Sequence, residues 1–258
     1  MEARVTVLGS GTSHGVPMIG CTCEVCGSAD PHDRRSRPSI YVEVAGGPSV
    51  LVDTSTDLRQ QALAHGVRQL DAILVTHSHA DHVMGMDEVR RFNVLNGGAI
   101  PVRHRRHGPG AAAHLPYAFE PPTQTGGGLP QIELRAIDGP FDVAGLTVVP
   151  VPLLHGTLPI LGFRFGRFAY LTDASTIPDG SWSLLEGVDV LILNALRHRP
   201  HPTHFSLSQA IAAAERIGAS RTWFTHVCHD LPHAATNRAL PAGMALAHDG
   251  LRFTVEAA

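Results

Sequence analysis

The sequence predicts an α+β fold in which two sheets pack face to face, with helices on their outer sides. Short apolar runs of β-type composition recur along the chain, and amphipathic helical patterns separate only some of them. Strands come in succession early and alternate with helices later, an order that fits packed layers better than one doubly wound sheet. At 258 residues, with 43% hydrophobic and 17% charged, the chain is long enough to bury a sizeable core without disulfides or an oligomeric scaffold. One domain over residues 1–258 is expected, because no internal repeat or linker divides it.

The first strand is predicted over Arg4 to Leu8, followed by strands over Ile40 to Ala45, Val50 to Asp53 and Ala72 to Thr76. Helical spacing covers Asp57 to His65 and Asp87 to Leu95. From Gly97 to Pro130 the chain is rich in Gly, Pro, His and Arg; residues 97–130 are expected to form an irregular loop or lid, with a short helix near Ala111 to Leu115. Strands resume over Leu146 to Val151, Phe168 to Thr172, Val188 to Leu193 and Thr222 to Thr225. Before the last of these, Ser206 is placed to cap a helix that runs to Ile217 and stops at Gly218.

A net charge of −3 weighs against nucleic acid as the main partner, since such proteins usually carry a basic excess that releases counterions from phosphates. No apolar run approaches the roughly 20 residues needed to cross a bilayer, and Glu2 and Arg4 interrupt the place where a leader's apolar core would form. The expected setting is the cytoplasm, with no membrane partner. All 20 basic residues are arginine, clustered at Arg34, Arg35 and Arg37 and in Arg103-His104-Arg105-Arg106-His107. A guanidinium fork pairs two oxygens at once, so these clusters are candidates to hold a phosphate.

Histidine is in excess, at 17 residues, and its spacing carries the chemistry. The apolar run Ala72 to Thr76 delivers His77, His79, Asp81 and His82 within six positions. On an extended segment, residues two apart point to the same side, so His77 and His79 can grip one ion. Asp81 and His82 follow where the chain bends into a helix and can hold a second. Four such side chains at the end of an apolar strand would otherwise be a desolvation cost without benefit. Three further apolar strands end on a metal-capable side chain: His155 after Val148 to Leu154, Asp173 after Phe168 to Thr172, and His226 after Thr222 to Thr225.

His77-x-His79-x-Asp81-His82 followed by His155, Asp173 and His226 resembles the metallo-β-lactamase superfamily. The resemblance implies a four-layer αβ/βα sandwich with two metals in a cleft at one edge. It assigns His77, His79 and His155 to one ion, Asp81, His82 and His226 to the other, and Asp173 as the bridge. The antibiotic-hydrolysing branch has a cysteine at the position of Asp173 and lacks the histidine matching His82, so β-lactamase activity is not expected.

The start of the chain narrows the branch. Gly9-Ser10-Gly11 follows a strand, but Gly15, Pro17 and Gly20 forbid the helix that a dinucleotide-binding loop requires. Cys21, Cys23 and Cys26, three of the 4 cysteines, offer soft ligands on a tight loop at about 20–27, one short of a closed structural zinc site. With this loop the chain resembles the phosphoribosyl cyclic phosphodiesterases of phosphonate degradation, in which a histidine just past the last cleft histidine completes a structural zinc. His229 matches that position, and Cys228 stays an alternative ligand. His204, in a loop before the helix from Ser206, aligns with the catalytic histidine proposed for that family, with His201 as a weaker rival.

These expectations combine into a dinuclear phosphodiesterase acting on a small cyclic phosphate ester by attack of a metal-activated hydroxide. His204 is expected to protonate the leaving oxygen, Asp81 to orient the water or take up its proton, and Asp53 to orient a ligand histidine. Zinc, manganese or iron suits the cleft, beside one structural zinc. The rival readings are tRNA 3′-end processing, a glyoxalase-II-like thioester hydrolase, a coenzyme-biosynthesis relative and a non-enzymatic metal-stabilised module. The expected partner is a small-molecule phosphate ester, and relatives imply a homodimer.

Overall fold

In the computed structural model of the chain, residues 1–106, 115–119 and 128–257 are described. Their strands form two sheets of seven. The first contains, in spatial order, β14 (Arg252–Glu256), β1 (Glu2–Gly9), β2 (Ser39–Val44), β3 (Ser49–Val52), β4 (Ala72–Leu74), β5 (Ile100–Arg105) and β6 (Ile132–Ile137). The second contains β13 (Met244–Leu246), β12 (Arg221–Thr225), β11 (Val190–Asn194), β10 (Phe168–Leu171), β9 (Leu158–Phe165), β8 (Leu146–His155) and β7 (Phe141–Val143). The helices are α1 (Leu58–His65), α2 (Ala80–Val83), α3 (Val89–Asn96), α4 (Asp179–Trp182), α5 (Leu207–Ile217) and α6 (His233–Ala239).

Alternation along the strands builds the layers. Val50 and Val52 of β3 and Phe168 and Tyr170 of β10 meet in the core between the sheets, together with Val5, Val42, Leu74, Val148, Phe163 and Ile192. Their neighbours face outward. Leu51, Ile73 and Val102 pack against Leu58 of α1 and Val89 and Phe92 of α3. On the second sheet, Ala169, Leu171, Leu191 and Leu193 pack against Ala210, Ala213 and Ala214 of α5. Period-two strands with two apolar faces require this helix–sheet–sheet–helix stack, and it is the predicted αβ/βα sandwich.

The helix over Ser206 to Ile217 forms as expected: the Ser206 and Gln209 side chains reciprocally cap the first turn, and Gly218 ends it at φ 75°. The helical pattern from Asp87 starts instead as a 3-10 turn over Met84–Glu88 and becomes regular only in α3. One expectation is corrected. The stretch from Gly97, read as irregular, contains β5, which pairs in parallel with β4 and β6. Ile100 and Val102 are buried, but Pro101, Arg103, His104 and Arg105 between and beyond them hide the strand's periodicity. The short helix expected near Ala111 to Leu115 falls on residues 111–114, outside the described residues.

Strands β3 and β4 are parallel, as are β10, β11 and β12, and β8 runs with β10 because both are antiparallel to β9. Their carboxyl ends therefore converge on one edge of the sandwich, where Asp53, His77, His155, Asp173 and His226 emerge.

Candidate metal centre

Beyond β4 the chain reaches His79, whose extended backbone (φ −67°, ψ 153°) leads into the single helical turn of α2, which carries Asp81 and His82. The ligating atoms of His77, His79 and His155 lie within 4.8 Å of one another, as do those of Asp81, His82, Asp173 and His226. His77 Nε2 stands 3.0 Å from His79 Nδ1. His82 Nε2 lies 3.3 Å from Asp81 and 3.4 Å from Asp173, and His226 Nε2 lies 3.0 Å from Asp173. All are buried except His79, which is exposed. The seven side chains singled out in the sequence thus meet in two adjoining groups, each begun by residues that follow the first sheet's β4 and completed by residues of the second sheet.

The supporting bonds aim these nitrogens. Asp53 accepts from Thr76 N and Thr76 Oγ1, each at 2.8 Å, and pairs with His82 Nδ1 at 2.7 Å, which turns His82 Nε2 into the cleft. The Thr203 carbonyl accepts from His155 Nδ1 at 2.7 Å and does the same for that ring. Asp53, Asp173 and His226 hold φ of 64°, 59° and 55°, three of the four positive-φ non-glycine positions among the described residues. Such a backbone costs of order 1–3 kcal/mol each and persists only where the surroundings impose it.

Electrostatics follow from crowding. Burial, joined by the neighbouring His82, lowers His77 well below its ordinary value. Burial pushes Asp173 up, but His226 and His82 more than offset it and hold the carboxyl well below the usual range. Burial likewise opposes protonation of His226, yet Asp173 and Asp81 raise it to about 9. Both ring nitrogens of His226 and Nε2 of His82 are buried without a hydrogen-bond partner. Buried imidazole lone pairs left unsatisfied beside ionised carboxylates fit divalent cations, which replace those protons.

His204 stands against both groups. Its Nε2 is 3.1 Å from Asp173 Oδ1, its ring stacks on His226 at 4.8 Å, and its edge meets His155 at 4.5 Å. Burial lowers this imidazole to about 4. On its far side, Nδ1 faces Thr203 Oγ1 at 2.9 Å and His201 Nδ1 at 3.2 Å, so His201 sits behind His204.

A second cluster lies in the cysteine-rich loop. Cys21 and Cys23 Sγ are each 3.3 Å from His229 Nδ1, and Cys26 Sγ is 3.7 Å away. Backbone N–H groups of Met18 and Cys26 donate to Cys26 and Cys23 sulfur. The Cys26 N–H in particular lowers the Cys23 thiol to about 6, whereas burial pushes Cys26 up to about 11. Cys228 is not in this group; its sulfur accepts from Asp230 N at 3.3 Å. The donor set of three thiols and one imidazole fits a tetrahedral zinc.

Several arginines of the two clusters are engaged within the chain. Arg35 is buried and hydrogen-bonded to backbone carbonyls and Asp33, Arg37 pairs with Asp57, and Arg103 covers the Phe141 ring while Arg106 pairs with Asp138. His107 lies outside the described residues. Sequence reasoning missed the Thr203 carbonyl, Asp249 and the backbone carbonyls that Arg35 holds. Asp249 accepts from the N–H and hydroxyl of both Ser10 and Ser36, and Ser10 O in turn accepts from Val227 N beside His226. None has a local signal, since each acts on residues far away in the chain.

Against known proteins, a family model described as the beta-lactamase superfamily domain matches residues 49–227. A curated relative named octanoyltransferase, from Porphyromonas gingivalis, is 38% identical over 98% of this chain, and the chain spans 52% of that protein's length. A solved structure described as a new diphosphatase from the PhnP family superposes with TM-score 0.90 at 48% identity, covering 99% of this chain and 98% of its own. Zinc-bound PqqB from Methylobacterium extorquens shares the fold at TM-score 0.77 and 21% identity, over 97% and 99% of the two chains.

Proposed function

The chain belongs to the metallo-β-lactamase superfamily, and on that premise we propose that it is a metal-dependent hydrolase of small phosphate diesters, with a strained cyclic ribose phosphate as its substrate class. The observation that carries the reading is His204, a sixth imidazole held against Asp173 and stacked on His226. A leaving alkoxide needs a proton, and an imidazole whose Nε2 stands 3.1 Å from Asp173 at the cleft is placed to give one.

Asp81, His82 and His226 would hold one cation, His77, His79 and His155 the other, with Asp173 between them. Divalent ions bound there supply Lewis acidity and a water acidic enough to attack phosphorus near neutral pH. Asp53 and the Thr203 carbonyl keep the His82 and His155 lone pairs aimed inward. Asp81 orients the attacking water, and His204 protonates the departing oxygen. The three thiols and His229 would hold a structural zinc. The partner is thus a small molecule.

A second reading is favoured by the similarity to a PhnP-family diphosphatase: the bond broken is a phosphoanhydride, with the same residues in the same roles.

His204→Ala tests the assignment. Turnover is expected to fall about 10²- to 10⁴-fold with metal content unchanged; unchanged turnover would remove His204 from the chemistry. Comparing kcat/KM for a ribose 1,2-cyclic phosphate with that for a nucleoside diphosphate sugar separates the two readings. Preference for the cyclic ester supports the first, preference for the anhydride the second, and cleavage of neither sinks both.

A further inference from the structure

We propose that Arg35 is a positioning residue for the cleft: it ties the cysteine-rich loop to the turn that carries His226, so that cation binding at the two sites is mutually reinforcing. The inference rests on the reading that the cleft and the cysteine-rich loop both hold cations.

Arg35 is 2% exposed, and its side chain is committed to one task. Nη1 donates to Cys228 O at 2.8 Å and Nη2 to Leu231 O at 2.7 Å, the carbonyls on either side of His229. Nη2 also pairs with Asp33 at 2.8 Å, and Nε donates to His32 O at 3.3 Å. Its backbone bonds Val16 in both directions at 2.8 Å, and Val16 packs on Val25 and Cys26. One residue therefore holds the stem of the cysteine-rich loop with its main chain and the His229 turn with its guanidinium. Burying that charge is unfavourable unless its donors are matched, and the planar fork matches two carbonyls and a carboxylate as no ammonium can.

His226 and His229 lie three residues apart on this turn, and His226 sits at φ 55°. Val227 N donates to Ser10 O and Cys228 N to Leu196 O, each at 3.0 Å, so little slack remains between the two imidazoles. A cation that draws His229 to the three thiols also sets the backbone that aims His226 at Asp81 and Asp173. By linkage the reverse holds with equal strength.

Cobalt(II) is the probe, added to the full chain after metal removal. The thiolate charge-transfer band counts the cysteine-rich site, and total cobalt at dialysis equilibrium gives the cleft by difference. In a Cys228→Ser background, blocking the remaining thiols with methyl methanethiosulfonate is expected to weaken cleft binding about ten-fold. Arg35→Met with Asp33→Asn, which leaves no unpaired buried charge, is expected to do the same with the thiols free. Val42→Ala, in the core between the sheets, should lower Tm without moving cleft affinity. If the double variant does not fold, the thiol-blocked arm decides alone. Equal cleft affinity with thiols free and blocked overturns the coupling while leaving the hydrolase reading intact. Uptake of thiolate-bound cobalt only, with none in the cleft, overturns both.

Discussion

Asp53 decides which nitrogen His82 offers. Both side chains are fully buried, and Thr76 supplies the two hydrogen bonds that keep the carboxylate in place while it holds His82 Nδ1. The isosteric change Asp53→Asn preserves volume but replaces an obligatory acceptor by an amide that can present N–H groups to the ring. We expect the affinity of the Asp81, His82, Asp173 and His226 group to fall about 10- to 100-fold. Competition against a chromophoric chelator would measure this. Unaltered affinity would mean that His82 is held by packing alone.

Among the elements, α6 and the segments packed on it carry a pH dependence separate from the cleft. His233, the first residue of α6, stacks on His32 at 4.6 Å, and His248 meets the His32 ring at 4.3 Å. Asn237 Oδ1 accepts from Leu246 N, so its amide donates to His233 Nε2 at 2.9 Å, and Nδ1 is left buried without a partner. Asp33 accepts from His233 N, while Asp30 and Arg35 complete the charged surroundings. Burial, then the neighbouring His32 and Arg35, lower His233 to about 4. The unfolded chain takes up this proton near 6.5 and the folded chain does not, so this contribution is present above pH 6.5 and is lost as pH falls toward 4. Urea midpoints at pH 7.5 and 5 should show that loss, and His233→Asn should reduce it. An equal loss in the variant would assign the acid sensitivity to other groups.

At the scale of the whole molecule, the cleft exists only because the sheets are packed. His77, His79, Asp81 and His82 follow β4 of the first sheet, whereas His155, Asp173 and His226 come from β8, β10 and β12 of the second. Phe163 is fully buried in the core that joins them. Phe163→Ala should cost about 3–5 kcal/mol through lost burial and a residual cavity. Because it loosens the contact between the two half-sites, cleft metal uptake should weaken with Tm. A large fall in Tm with cleft uptake unchanged would show that the edge is held independently of the core.

Much of this was legible locally. An apolar strand advertises itself by composition and its end by the first polar side chain, so His77, His155, Asp173 and His226 could be found one strand at a time. Ser206 and Gly218 bound α5 by backbone chemistry that depends only on near neighbours. Strand β5 was hidden because Pro101 and Arg103 break its apolar run, and its place depends on β4 and β6 on either side. The grip of Arg35 on Cys228 and Leu231, and that of Asp249 on Ser10 and Ser36, spans about 200 residues of chain. The sequence alone determined which side chains could bind and which elements would bear them, since ligand type, periodicity and caps are local properties. Only the tertiary structure decided which nitrogen His82 and His155 present, that His229 rather than Cys228 lies against the three thiols, and that one buried guanidinium reaches the carbonyls of Cys228 and Leu231. Those outcomes depend on which distant backbone groups lie within hydrogen-bond reach, and no short window of sequence contains that distance.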